Sequence, residues 1–155
     1  MSGSDRPLTG GAPNPERVVT VLTVSDYGED RDCLRTILKH SNWTIHEARG
    51  CDEAAAALGR HPVAVVLCDD TLPDGNWKRL LRELEARTAA PLLIVTARDA
   101  DDRLWAEVLN EGAYDLLPKP FDRKEVIRVV GTAWLHWKDT QAGLHQMAIG
   151  HQAGM

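Results

Sequence analysis

The chain has 155 residues, 43% of them hydrophobic and 26% charged, with a formal net charge of −5. That is the size and composition of one globular domain able to bury a core without disulfide or metal staples. The acidic balance argues against direct nucleic-acid binding or attraction to an anionic membrane, since neither finds a basic footprint. No apolar stretch reaches the length of a membrane span, and Cys33, Cys51 and Cys68 form no paired motif, so a reducing, cytoplasmic setting is expected.

Residues 1–16, rich in Gly, Pro and Ser and without an apolar signal core, predict a flexible leader. Residues 18–24 (VVTVLTV) form a short β-branched run ended by Ser25-Asp26-Tyr27-Gly28, a buried strand stopped by a loop. Helical spacing of Cys33, Leu34, Ile37 and Leu38 predicts a helix over 29–40. A short strand over 43–48 and an alanine-rich helix over 52–59 follow, with Asp52 as its candidate N-cap and Gly59 as its stop. The third strand, 63–68, runs into Asp69-Asp70. A Pro-Asp-Gly turn at 73–75 leads to a helix over 76–87. Residues 91–95 predict a fourth strand, 101–111 a fourth helix closed by Gly112, 114–117 a fifth strand, and 122–138 a last helix.

Strands apolar on both faces, alternating with helices, predict an α/β three-layer sandwich. The expected sheet has five parallel strands in the flavodoxin-like order 2-1-3-4-5, flanked by five helices. The expected organisation is a leader (1–16), one domain (17–138) and a flexible tail (139–155) too short to hold a helix-turn-helix output module, hence a stand-alone chain.

The informative polar residues all fall at strand ends. Asp26 follows strand one, Asp69 strand three, Thr96 strand four and Lys119 strand five. In an open parallel sheet, ligands bind beyond the carboxyl ends of the strands near the switch in strand order, so these four should meet in one cleft. Two carboxylates suit Mg²⁺, a hydroxyl and an ammonium suit the oxygens of a phosphoryl group, and a carboxylate can itself be the nucleophile. Each residue alone reads more economically as a strand-ending polar group; the coincidence of four carries the functional reading.

The segments VLTVSD (21–26), VVLCDDTLPDG (65–75), LLIVTA (92–97) and EGAYDLLPKPFD (111–122) resemble response-regulator receiver domains, the fold group of the chemotaxis regulator. The resemblance covers about residues 17–138. It implies a phosphorelay phosphoprotein of a two-component system, in which Asp69 accepts a phosphoryl group from a histidine kinase or phosphotransfer protein. Pro73, four places on, identifies that aspartate. It further implies Mg²⁺ held by Asp26, Asp69 and the backbone carbonyl of Thr71, and phosphoryl contacts from Thr96, the Ala97 amide and Lys119. The Lys119-Pro120 bond is expected to be cis. Thr71 and Arg98 match positions that tune phosphoryl lifetime, and Leu116 stands at the switch position. Signalling, and possible homodimerisation, would use the face of helix four, strand five and helix five, where Trp105 and Trp137 are candidate contacts. Such a domain is not an enzyme beyond its own phosphotransfer and dephosphorylation.

Three positions depart from the family pattern. Ser25 replaces one of two adjacent acids and predicts weaker Mg²⁺ binding. Trp77 replaces a glycine, and Leu116 replaces the aromatic that couples the site to the outer face. These departures favour an alternative, a phosphorylation-independent pseudo-receiver that docks or dimerises. An aspartyl-phosphate phosphohydrolase is disfavoured, because Thr71 stands where such enzymes carry a second acid. Asp70 reads as a solvated loop acid, Trp134 as packing, and His136, His145 and His151 as solvated residues without ligand spacing.

Overall fold

The computed structural model describes residues 20–39 and 43–153, with side chains through residue 143. The expected leader, and His40 at the expected end of the first helix, lie outside the described residues. The elements in chain order are β1 (Thr20–Val24), α1 (Gly28–Leu38), β2 (Thr44–Ala48), α2 (Cys51–Arg60), β3 (Val65–Asp69), β4 (Thr71–Leu72), β5 (Gly75–Asn76), α3 (Trp77–Glu85), β6 (Leu92–Ala97), α4 (Asp102–Glu111), β7 (Asp115–Pro118) and α5 (Arg123–Ala153).

Five strands form one parallel sheet in the order β2-β1-β3-β6-β7. Counting sheet strands alone, that is the expected 2-1-3-4-5. The short β4 and β5 pair antiparallel around the Pro-Asp-Gly turn, a hairpin that the sequence marked only as a turn.

Alternation along each strand divides the core in two, because successive side chains point to opposite faces. Leu22, Val66, Cys68, Leu93, Val95 and Leu116 pack with α2, α3 and α4 on one face. Val21, Val65, Leu67, Ile94 and Leu117 pack with α1 and α5 on the other. Burying a Leu-sized side chain contributes about 1.5–3 kcal/mol, so the strand bodies stabilise the fold and leave the strand ends free for chemistry.

Helix ends explain the local differences from expectation. Asp52 is not the N-cap of α2. Gly50 holds that position without a side chain, and the Asp74 carboxylate accepts from the amides of Cys51 and Asp52 at 2.8 and 3.0 Å. A Cβ on Gly50 would lie 2.6 Å from Asp74 Oδ1, so only glycine admits this distant cap. The two amides in turn hold the Asp74 carboxyl below its usual range. Gly59 does not stop α2, which continues through Arg60. Asn76 caps α3 and Asp101 caps α4 through their side chains. Gly112 closes α4 in the left-handed conformation, φ 102°. The last helix, expected to end near Lys138, runs on to Ala153. No proline follows Pro120, and the segment is rich in Ala and Gln, so the helix has no local reason to break.

Candidate functional site

The polar residues gather where the sheet order predicts. Asp69 ends β3 and is paired in register with Thr96 of β6. Ser25 follows β1, and Lys119 follows β7 through a cis Lys119-Pro120 bond. Asp69, Ser25 and Thr96 are each only 2% exposed, in a core whose other buried residues are almost all apolar. A buried carboxylate persists only when hydrogen-bonded or paired, and this one is both. Thr96 Oγ1 donates to Asp69 Oδ1 at 2.6 Å, and Lys119 Nζ lies 2.8 Å from the same oxygen. Ser25 Oγ donates to Asp69 Oδ2 at 2.6 Å.

Lys119 has a second anionic partner. Its Nζ donates to Asp30 Oδ2 at 2.7 Å, from the first turn of α1, and sits 5.3 Å from the ring centroid of Tyr27. Burial alone would lower the lysine's pKa, but the hydrogen bonds to Asp30 and Asp69 outweigh it and hold the ammonium above its ordinary value. Ser25 is also anchored from outside. Its Oγ accepts from the Tyr27 amide at 3.1 Å, and its carbonyl from the Arg31 guanidinium at 2.6 Å.

Of the expected site residues, Asp69, Thr96 and Lys119 therefore converge in direct contact, with Ala97 buried beside Thr96. Asp26 is exposed and stands outside the hydrogen-bonded network, and Thr71 and Arg98 are exposed around the cleft. Leu116 is buried on the α4 side, and Trp77 is buried in the same cluster, so the bulky side chain at the glycine position fills core. Trp105 is 39% exposed on α4. The expected placement of Trp137 on the outer face is corrected. It follows Ala133 by one helical turn, so it stays on the buried stripe of α5, packs against the α1 side of the core and donates weakly to the Ala89 carbonyl at 3.5 Å.

Two contributors were missed in the sequence. Ser25 stands where the family pattern has an acid, yet it binds the Asp69 carboxylate directly. Asp30 carried one signal only, its place in the first turn of the helix that begins at the cleft. For the implied Mg²⁺, Asp26, Asp69 and the Thr71 carbonyl offer oxygen alone, the donor class that ion prefers. No trio of His, Cys, Asp or Glu side chains gathers to hold a metal among the described residues. The donor set fits an ion held through a few protein oxygens and water, with one acid fewer than the family pattern.

A doubly covered parallel sheet with a buried carboxylate, hydroxyl and ammonium at its carboxyl edge is the arrangement of a receiver-type domain. The family model described as the response regulator receiver domain matches residues 21–131. The chain belongs to that family. It is 37% identical over 109 residues to the KDP operon transcriptional regulatory protein KdpE of Escherichia coli K12, covering 67% of this chain and 46% of that protein. It is 30% identical over 136 residues to the hydrogenase transcriptional regulatory protein HoxA of Cupriavidus necator, covering 86% and 28%. The signal receiver domain of an HD domain-containing protein from Pseudomonas fluorescens Pf-5 superposes with a TM-score of 0.75 at 26% identity, covering 84% of this chain and 96% of that one. The chain thus spans between about a quarter and a half of the curated relatives it matches. Receiver domains are generally signalling modules that bind Mg²⁺ and interact with histidine kinases or phosphotransfer proteins. Among the described residues, no helix is long and apolar enough to cross a membrane.

Proposed function

We propose that this chain is a phosphoacceptor receiver whose Asp69 takes a phosphoryl group from a phosphohistidine donor. The observation that carries the reading is the convergence of Ser25, Thr96 and Lys119 on a single buried carboxylate. A carboxylate oxygen offers two acceptor sites. Oδ1 already serves Thr96 and Lys119, whereas Oδ2 serves only Ser25, so Oδ2 is the better nucleophile. In the transfer, the Asp69 Oδ2–P bond forms as the donor's N–P bond breaks, and the leaving imidazole keeps the electron pair and takes a proton. Thr96 and Lys119 then have a phosphoryl oxygen to follow, and their positioning supplies most of the assistance such a loose transition state needs. Mg²⁺ held by Asp26, Asp69 and the Thr71 carbonyl would neutralise phosphoryl charge.

Asp30 gives Lys119 a partner while Asp69 changes charge. Thr71 and Arg98, exposed at the mouth, would set how readily water reaches the acyl phosphate. Output, and any homodimer, would use the α4–β7–α5 face, where Trp105, Leu109 and Leu135 are exposed. Cytoplasmic action goes with this proposal and is tested by the location of the native polypeptide. The test of the chemistry is incubation with Mg²⁺ and acetyl phosphate, followed by intact mass. A gain of about 80 Da in the wild type and none in Asp69→Ala is expected for one phosphoryl group.

A second reading is favoured by Ser25 itself. A carboxylate already satisfied by three donors of its own chain holds its arrangement without a phosphoryl group, as a docking module would require. No adduct, together with no Mg²⁺-dependent change in tryptophan fluorescence, supports that reading instead.

A further inference from the structure

Ser25 is held at every polar atom. Its amide donates to the Ala48 carbonyl at 3.0 Å, its carbonyl accepts from Arg31 Nη1 at 2.6 Å, and its hydroxyl oxygen accepts from the Tyr27 amide at 3.1 Å. That leaves the hydroxyl proton to Asp69 Oδ2 at 2.6 Å. Arg31 is braced in turn. Its side chain is 17% exposed, and its Nε lies 3.6 Å from Glu47 Oε1. Arg35 grips both oxygens of Glu47, at 2.6 and 3.0 Å. The first two turns of α1 and the edge strand β2 thus fix the direction in which one buried hydroxyl donates.

We propose that Ser25 is a catalytic residue for discharge of the phosphoryl group, and that Arg31 is the positioning residue that aims it. The inference rests on Asp69 being the phosphoacceptor and adds which step this chain favours. In hydrolysis a water oxygen bonds to phosphorus as the Asp69 Oδ2–P bond breaks. The electron pair returns to Oδ2, the water's proton leaves with phosphate or solvent, and Ser25 keeps its own proton throughout. A hydroxyl binds a carboxylate oxygen more strongly than a bridging ester oxygen, which carries little charge. In a loose transition state the Oδ2–P bond is largely broken, so Oδ2 already bears most of its final charge. A donor aimed there beforehand stabilises that transition state over the acyl phosphate. The forward transfer gains far less, because Oδ2 is a carboxylate oxygen before the step and nearly one at its transition state. An ionised acid at position 25 could not donate at all. The serine therefore gives this chain a short-lived phosphoryl state.

The wild type, Ser25→Ala and Arg31→Met are phosphorylated with acetyl phosphate at constant Mg²⁺. Gain of the adduct, and its loss after the donor is removed, are followed by intact mass. In both variants the ratio of the loss rate to the gain rate should fall about tenfold, the effect of one charge-assisted hydrogen bond on a rate. Arg31→Lys, which keeps a donor for the Ser25 carbonyl, should recover part of that ratio. General damage to the fold would slow gain as much as loss and leave the ratio unchanged. Arg31→Met, which leaves the buried hydroxyl in place, carries the test if Ser25→Ala does not fold. An unchanged or raised ratio overturns the proposal while Asp69 remains the acceptor. No adduct on the wild type overturns both.

Discussion

The two ends of the sheet are built from the same strands and do opposite things. At the carboxyl end, Ser25, Asp69, Thr96 and Lys119 close a polar network in which each buried group has a partner. At the amino end, Val63 and Pro91 enter their strands through apolar contacts, and Arg87 Nε is left without a partner. Buried ions are tolerated when the network is complete, and completeness is what makes the carboxyl end vulnerable to single substitutions.

The largest expected effect comes from breaking that network. Lys119→Met leaves Asp30 and Asp69 without their shared cation and should destabilise the fold by roughly 3–5 kcal/mol, read by urea unfolding. Its folded-state pKa is raised, so the lysine's contribution is fully present below about 10.5 and is lost as pH rises through the folded value. A wild-type protein that shows no alkaline loss of stability relative to the variant would contradict the pairing.

Ser25→Ala should cost about 1.5–3 kcal/mol, because Asp69 Oδ2 is left buried without its donor. Ser25→Asp sharpens the same point. It sets a second acid beside Asp69, so the variant should lose stability without Mg²⁺ and regain it with Mg²⁺, binding the ion more tightly than the wild type. Indistinguishable Mg²⁺ titrations of the two proteins would sink that expectation.

The amino end should respond more mildly. Ala89 has φ 55°, in the left-handed region that a non-glycine residue seldom adopts. Ala89→Gly relieves this backbone and should stabilise by about 0.5–1 kcal/mol after the added freedom of the unfolded chain is counted. The smallest effect is a pH dependence. Burial, then the neighbouring His61 and Arg60, lowers the pKa of His46 from its ordinary 6.5. Stability from this group is complete above 6.5 and declines as pH falls through the lowered folded value. His46→Gln should flatten the acid limb of the stability profile, and an unchanged limb would remove His46 as its cause.

The sheet, and the meeting of Asp69, Thr96 and Lys119 at its carboxyl edge, were legible in the sequence. Continuous apolar runs at 18–24, 63–68 and 91–95 admit only strands covered on both faces. The position of Asp69, Thr96 and Lys119 just after such runs places them at one edge, since parallel strands all end on the same side. Partnerships that do not follow from a shared strand end were not legible. Asp74 caps α2 from 22 and 23 residues away, and Asp30 reaches Lys119 across 89 residues. Helical periodicity marked the stripe of Trp137, but only the packed molecule shows that this stripe faces the α1 side of the core. Local pattern decides which elements form, because it acts over a few residues. Which side chains meet is decided by the crossovers that fold those elements together, and only the tertiary structure records them.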